Sequence, residues 1–236
     1  DDKTMKSSDP RPEDAVNRGI NSVRGVTVEA LAALAYYFPE NKEIAEKIKV
    51  LSHDRTNAVK ATLIYNLKCL TGKNYSLCKS IVNQFKDIRD PEIDFALVYY
   101  FSSLTCRQFQ ANIGFIKLLF NDTNKEIQRL LGELIGTRYI AGFNLRQFID
   151  LILRQGIGEV EVRRSLAFIF ESRLAKQIES KKHKQILGFL IQLLDPQREP
   201  DFGVREQASF FLVRDELKSQ YFRILYKKKI FDTILK

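Results

Sequence analysis

The chain has no tryptophan, one methionine, three cysteines and two histidines, and only 11 glycines and 6 prolines in 236 residues. Each scarcity excludes something. Cys69, Cys78 and Cys106 are an odd set, too few for a disulfide framework, and they fit a reducing cytoplasm. A metal centre needs about three or four convergent ligands, and neither His53 nor His183 has a Cys or His at ligand spacing, so no metal or other cofactor is expected. No run reaches roughly 18 consecutive apolar residues, so no segment reads as membrane-spanning. The first residues, DDKTMKSSDPRPED, are polar and lack the apolar stretch of a secretory signal. They also lack an initiating Met, and the chain is expected to be a piece of a larger protein. Few glycines and prolines suit a mostly helical chain, because little is spent on sharp turns. No segment alternates with period two for long, so no sheet is expected.

What is present is a repeat. A β-branched residue followed by a helix-compatible run recurs at Val23, Val59, Ile93, Ile127, Val162 and Val204, with gaps of 36, 34, 34, 35 and 42 residues. A period in this range marks stacked helical hairpins. Residues 1–11 read as a flexible lead-in, and 12–236 as a single domain. Pro12-Glu13-Asp14 opens a helical pattern that runs to Tyr37, with Val23, Val26, Ala30, Leu31 and Leu34 on one face and Gly19 and Gly25 interrupting it. Those glycines predict either two short helices or close packing against a neighbour. Further hairpins turn at 53–57, Asp90-Pro91, 121–124, 155–158 and 195–203, the last long enough to account for the 42-residue gap. Thr71-Gly72-Lys73-Asn74 reads as a helix stop, and a final helix is expected at about 216–235. The clusters Tyr36-Tyr37-Phe38 and Tyr99-Tyr100-Phe101 read as core packing; exposed tyrosines there would instead suit a protein interface.

The anchors carry a second regularity. Val23-Arg24, Val59-Lys60, Val162-Arg163 and Val204-Arg205 each place a base after the apolar residue, and Asp54 and Asp201 precede two of them. This resembles the HEAT repeat, in which a turn acid precedes a second helix beginning Val-Arg; Ile93-Asp94 and Ile127-Gln128 depart from it. The resemblance covers about residues 20–215. It implies an all-α, right-handed α-solenoid of about six stacked hairpins. The stretch Asn21-Ser-Val-Arg-Gly-Val-Thr-Val-Glu-Ala-Leu31 is similar to HEAT-like regions of large bacterial ATP-binding proteins, including defence-type NTPases. That likeness implies a sensor or scaffold arm whose nucleotide chemistry lies elsewhere in the parent.

Catalytic patterns are sparse. There is no G-x-S-x-G elbow, and Thr71-Gly72-Lys73 and Gly156-Ile157-Gly158 lack the full phosphate-loop and dinucleotide patterns. Asp122, Asp150, Glu159 and Glu161 are candidates only by being acidic, and read as caps or solvated faces. The net charge of +9 permits a polyanion. Arg24, Lys60, Arg163 and Arg205 would align in a ladder, read first as scaffold salt bridges and second as a phosphate-tracking stripe. A candidate polyanion contact comprises Arg163, Arg164, Arg173, Lys176, Lys181, Lys182 and Lys184, with Lys227, Lys228 and Lys229 near the end.

The reading is a non-enzymatic, cytoplasmic scaffold that binds a protein. A nucleic-acid-binding solenoid is the alternative. A HEAT-fold DNA glycosylase comes third, and the absence of tryptophan weighs against it.

Overall fold

Side-chain caps mark where many of the helices begin. The computed structural model describes residues 12–154, 158–174 and 181–213. Among these it contains thirteen α-helices and no strand: α1 Pro12–Ile20, α2 Val23–Tyr37, α3 Lys42–Ser52, α4 Asn57–Leu70, α5 Tyr75–Val82, α6 Pro91–Ser102, α7 Cys106–Ala111, α8 Ile113–Leu119, α9 Lys125–Ile140, α10 Arg146–Leu153, α11 Val160–Leu174, α12 Lys181–Leu194 and α13 Phe202–Val213. The final helix expected at 216–235 and the lead-in at 1–11 lie outside the described residues. A hydroxyl, carboxamide or carboxylate oxygen just before a helix accepts an otherwise orphaned amide of its first turn. Ser22 does this for Gly25 (3.0 Å), Asn41 for Ile44 (3.1 Å), Asn74 for Leu77 (3.1 Å) and Asp201 for Val204 (2.9 Å). Asp90 accepts from both Glu92 and Ile93 ahead of Pro91, and Thr105 and Gln108 form a reciprocal capping box.

The chain divides into two compact units, residues 1–127 and 128–236, and the division falls in the first turn of α9. In the first unit α2, α4 and α6 pack in succession, α3 and α5 flank α4, and α1 lies against both α4 and α6. Covered on so many sides, α4 buries eight of its fourteen residues and α6 eight of its twelve, too many for a one-faced amphipathic helix. In the second unit α11 packs on α13, with α12 against both and α10 against α11 and α12. Its centre is the aromatic triad of Tyr139, Phe170 and Phe189, with ring centroids 5.7–5.9 Å apart.

The first pattern is two helices, α1 and α2, joined through Asn21 and Ser22, in line with its interruption by glycine, but one expectation about it needs correction. The residues expected inside are outside: Val23 is 83% exposed, Val26 56% and Leu34 44%, whereas Gly25, Val28, Ala32 and Ala35 are buried. The reason is closeness of approach. At Gly25 a Cβ would lie 1.6 Å from the carbonyl oxygen of Gly19, and at Gly19 a Cβ would lie 1.9 Å from Thr62 Oγ1 and 2.4 Å from the carbonyl oxygen of Ala58. The small-residue face of α2 therefore goes inward, and the bulky residues that share its period face solvent. The fourth hairpin's first helix is likewise broken, into α7 and α8 at Asn112.

Candidate functional site

At three of the six anchors the next residue, Arg24, Gln128 or Arg163, reaches the turn of the following hairpin. Arg24 donates to both carboxylate oxygens of Asp54 (3.1 Å each) and to Thr56 Oγ1 (3.0 Å). Gln128 accepts the backbone N–H of Glu159 (3.1 Å). Arg163 donates through Nε to Glu199 (2.5 Å), in a pair whose side chains are 5% and 1% exposed. Arg205 reaches back to the carbonyl of Glu199 (2.6 Å). Lys60 is half-buried on α4, and nearby Asn57 donates to Asp90 of the next turn (2.7 Å). In the third hairpin the position belongs to Asp94, fully buried, 3.3 Å from Arg89 and beside Asp122. Burial, more than any neighbour, pushes its carboxyl up to about 7; Arg89 opposes that, while Asp122 and Asp90 add to it.

Of the polyanion patch expected from the sequence, two members turn inward and a third is paired at the surface. The guanidinium of Arg163 is buried against Glu199. Arg164 is held by Glu161 (3.1 Å) and Asp201 (3.5 Å). Lys182 turns inward, donating to the carbonyl of Tyr139 (2.6 Å) at the C-terminal end of α9, with its ammonium 5.2 Å from the Tyr139 ring; burial lowers its pKa. A lysine that caps the electronegative end of a helix is a structural group. Arg173 and Lys184 are exposed. Lys176, Lys227, Lys228 and Lys229 lie outside the described residues, as does the side chain of Lys181.

The acids are mostly occupied in local structure. Glu161 pairs with Arg164, and Asp122 accepts from the amide of Asn124 (2.6 Å). Among the described residues no group of three or more His, Cys, Asp or Glu is placed to hold a metal ion. His53 is the C-cap of α3, and His183 is buried in α12. The Cys78 thiol, buried near the carbonyl of Leu67 (3.6 Å), is pushed up to about 12 by desolvation and is a poor nucleophile. The second half of the Thr71-to-Asn74 segment closes α4, with the amides of Lys73 and Asn74 both donating to the carbonyl of Leu70.

The two aromatic clusters separate. Tyr100 and Phe101 are fully buried, as expected, but Tyr36, Tyr37 and Phe38 are 41%, 74% and 58% exposed. With Val23, Val26, Ala30, Ala33 and Leu34 they make a continuous apolar stripe along the outer face of α2, whose only charged residues are Arg24 and Glu29. Beside it runs a groove of about 320 Å³ lined by Glu29, Ala32, Ala33, Tyr36 and Tyr37 of α2 and by Asn66 and Cys69 of α4. The signal for this surface was legible as an apolar period in a helix almost free of charge; what misled was assigning that period to the core.

No family model, no curated protein and no solved structure matches the chain.

Proposed function

We propose that this chain is a non-enzymatic helical-repeat scaffold, a HEAT-like right-handed stack of hairpins, that binds a protein partner through the outer face of α2. The observation that carries the reading is the stripe Val23, Val26, Ala30, Leu34 and Tyr37, apolar and solvent-facing along a 15-residue helix. A contiguous apolar surface rimmed by polar groups is characteristic of a protein contact. What it offers a ligand is area and shape rather than ionisable groups poised to react. The partner that fits is an amphipathic helix. Its apolar side chains, spaced by three and four residues, would seat in the groove between α2 and α4, with Tyr36 and Tyr37 as anchors. The links from anchor residues to following turns support the scaffold half of the reading, since stacked repeats are held by such nearest-neighbour contacts.

The test is site-specific photo-crosslinking in the protein's own cells, from positions 26 and 37, with position 47 on α3 as the control. One protein adduct should recur at both α2 positions, be absent from the control, and disappear when Ala33→Glu places a charge in the groove. Adducts scattered over abundant proteins, or indifferent to that substitution, would sink the reading. Titration with DNA at two ionic strengths addresses the alternative. Micromolar binding that weakens steeply with salt would move the function to nucleic acid.

A further inference from the structure

A cleft of about 600 Å³ opens in the second unit between α10, α12 and the turn that follows α12. Three arginines from two separate stretches of the sequence meet there: Arg146 and Arg154 at the two ends of α10, and Arg198 from the turn. Arg146, Asp150 and Arg154 are four residues apart and so share one stripe of the helix. All three arginines are exposed, whereas Leu153 and Leu193 beneath them are buried. Glu199 also lines the cleft, but its carboxylate is taken by Arg163 (2.5 Å) and by the amide of Asp201 (3.1 Å). Among the described residues, the acids that oppose these guanidiniums include Asp150 in the wall and Asp195, 3.4 Å from Arg198 Nε.

That lining selects its ligand by chemistry. A cation meets an excess of positive charge. A flat aromatic ligand finds no ring to stack on among the described residues, whose apolar contributors are the two leucines. A single carboxylate satisfies one planar fork. Groups with anionic oxygens on several sides can engage forks from α10 and from the turn together, and a chain of phosphates is such a group.

We propose that this cleft binds an oligophosphate group, gripped by Arg146, Arg154 and Arg198, with the side-chain amide of Gln192 donating to a further oxygen. The same chemistry is available as free inorganic oligophosphate or as the tail of a nucleoside triphosphate. The site uses no residue of the first unit, so it stands or falls apart from the α2 surface.

Calorimetric titration of the full chain at about 50 mM salt with inorganic tripolyphosphate, ATP and citrate tests it. Tripolyphosphate should bind saturably at one site, and citrate at least about tenfold more weakly. Arg146→Gln and Arg154→Gln should each weaken tripolyphosphate binding about tenfold. Arg198→Lys, which keeps the charge and loses the fork, should also weaken it. The side chains are exposed, so thermal melts of these variants should match the parent; Lys47→Gln, in the first unit, should leave binding unchanged. ATP binding equal to tripolyphosphate assigns the free phosphate chain, and much tighter ATP binding assigns the nucleotide. The proposal is overturned by no saturable binding up to about 1 mM, by binding that survives the arginine substitutions, or by citrate binding as well as tripolyphosphate. It is also overturned if a single strand of about 20 nucleotides binds at least tenfold tighter through the same arginines, for then the cleft reads a nucleic-acid backbone.

Discussion

Asp94 shows how much one side chain can depend on its surroundings. It occupies the place where four of the other hairpins carry a base, yet it is fully buried beside Asp122, with Arg89 to offset it. The pattern Ile93-Asp94 announces a departure in the sequence; the burial that gives it consequence comes from packing, which no local pattern encodes. Burial holds its carboxyl protonated up to about 7 in the native state, whereas the unfolded chain releases that proton near the ordinary carboxylate value of 3.8. Between those values the native state binds the extra proton, so stability falls as pH rises and then levels off above about 7. The cost at pH 8 is about 2–4 kcal/mol. Asp94→Asn keeps the shape, stays neutral at every pH and can donate to Asp122. Urea unfolding should find the variant more stable than the parent at pH 8 and nearly equal to it at pH 4. A parent whose stability is flat between pH 4 and 7 would contradict the assignment.

At the scale of elements, the periodic anchors were the legible part. Val59, Ile93, Ile127, Val162 and Val204 are all fully buried, so a β-branched residue at a fixed place in the unit did mark the inward face. Val23 breaks the rule because α2 meets its neighbours through small residues. A sequence pattern reports which residues share a face, but which of two faces goes inside depends on how closely the neighbour can approach. The contact of Gly25 with Gly19 makes that measurable. A methyl at position 25 has backbone in its way rather than a movable side chain, so α1 and α2 must separate. Gly25→Ala should cost about 2–3 kcal/mol, the upper part of what overpacking costs, read as a fall in the urea midpoint. Gly72→Ala is the matched control, because nothing lies within 4 Å of a Cβ placed there. Equal midpoints for the two variants would mean that α1 is not packed on α2 as described.

For the whole molecule, composition was informative about class and silent about placement. Few glycines and prolines announced helices. The charge excess was equally plain, but the dense basic runs drew attention to Arg163 and Lys182, which the fold uses internally, and to Arg164, which it pairs with Glu161 and Asp201. The arginines that meet in the cleft are a pair on one stripe of α10, Arg146 and Arg154, and the distant Arg198, which no single stretch of sequence joins. The excess has a global consequence of its own: 38 basic against 29 acidic residues leave a net charge of +9, whose self-repulsion opposes compaction. Exposed pairs such as Lys47–Glu43, with side chains 59% and 77% exposed, recover little of this, because solvent screens them. The buried Arg163–Glu199 pair is shielded from salt. Raising sodium chloride from about 0.05 to 0.5 M shortens the screening length severalfold. It should therefore relieve more repulsion than it removes attraction. Thermal melts followed by helical circular dichroism should shift upward by about 2–4 °C, which corresponds to roughly 1 kcal/mol for a chain of this length. A downward shift would mean that the surface ion pairs, taken together, outweigh the excess charge.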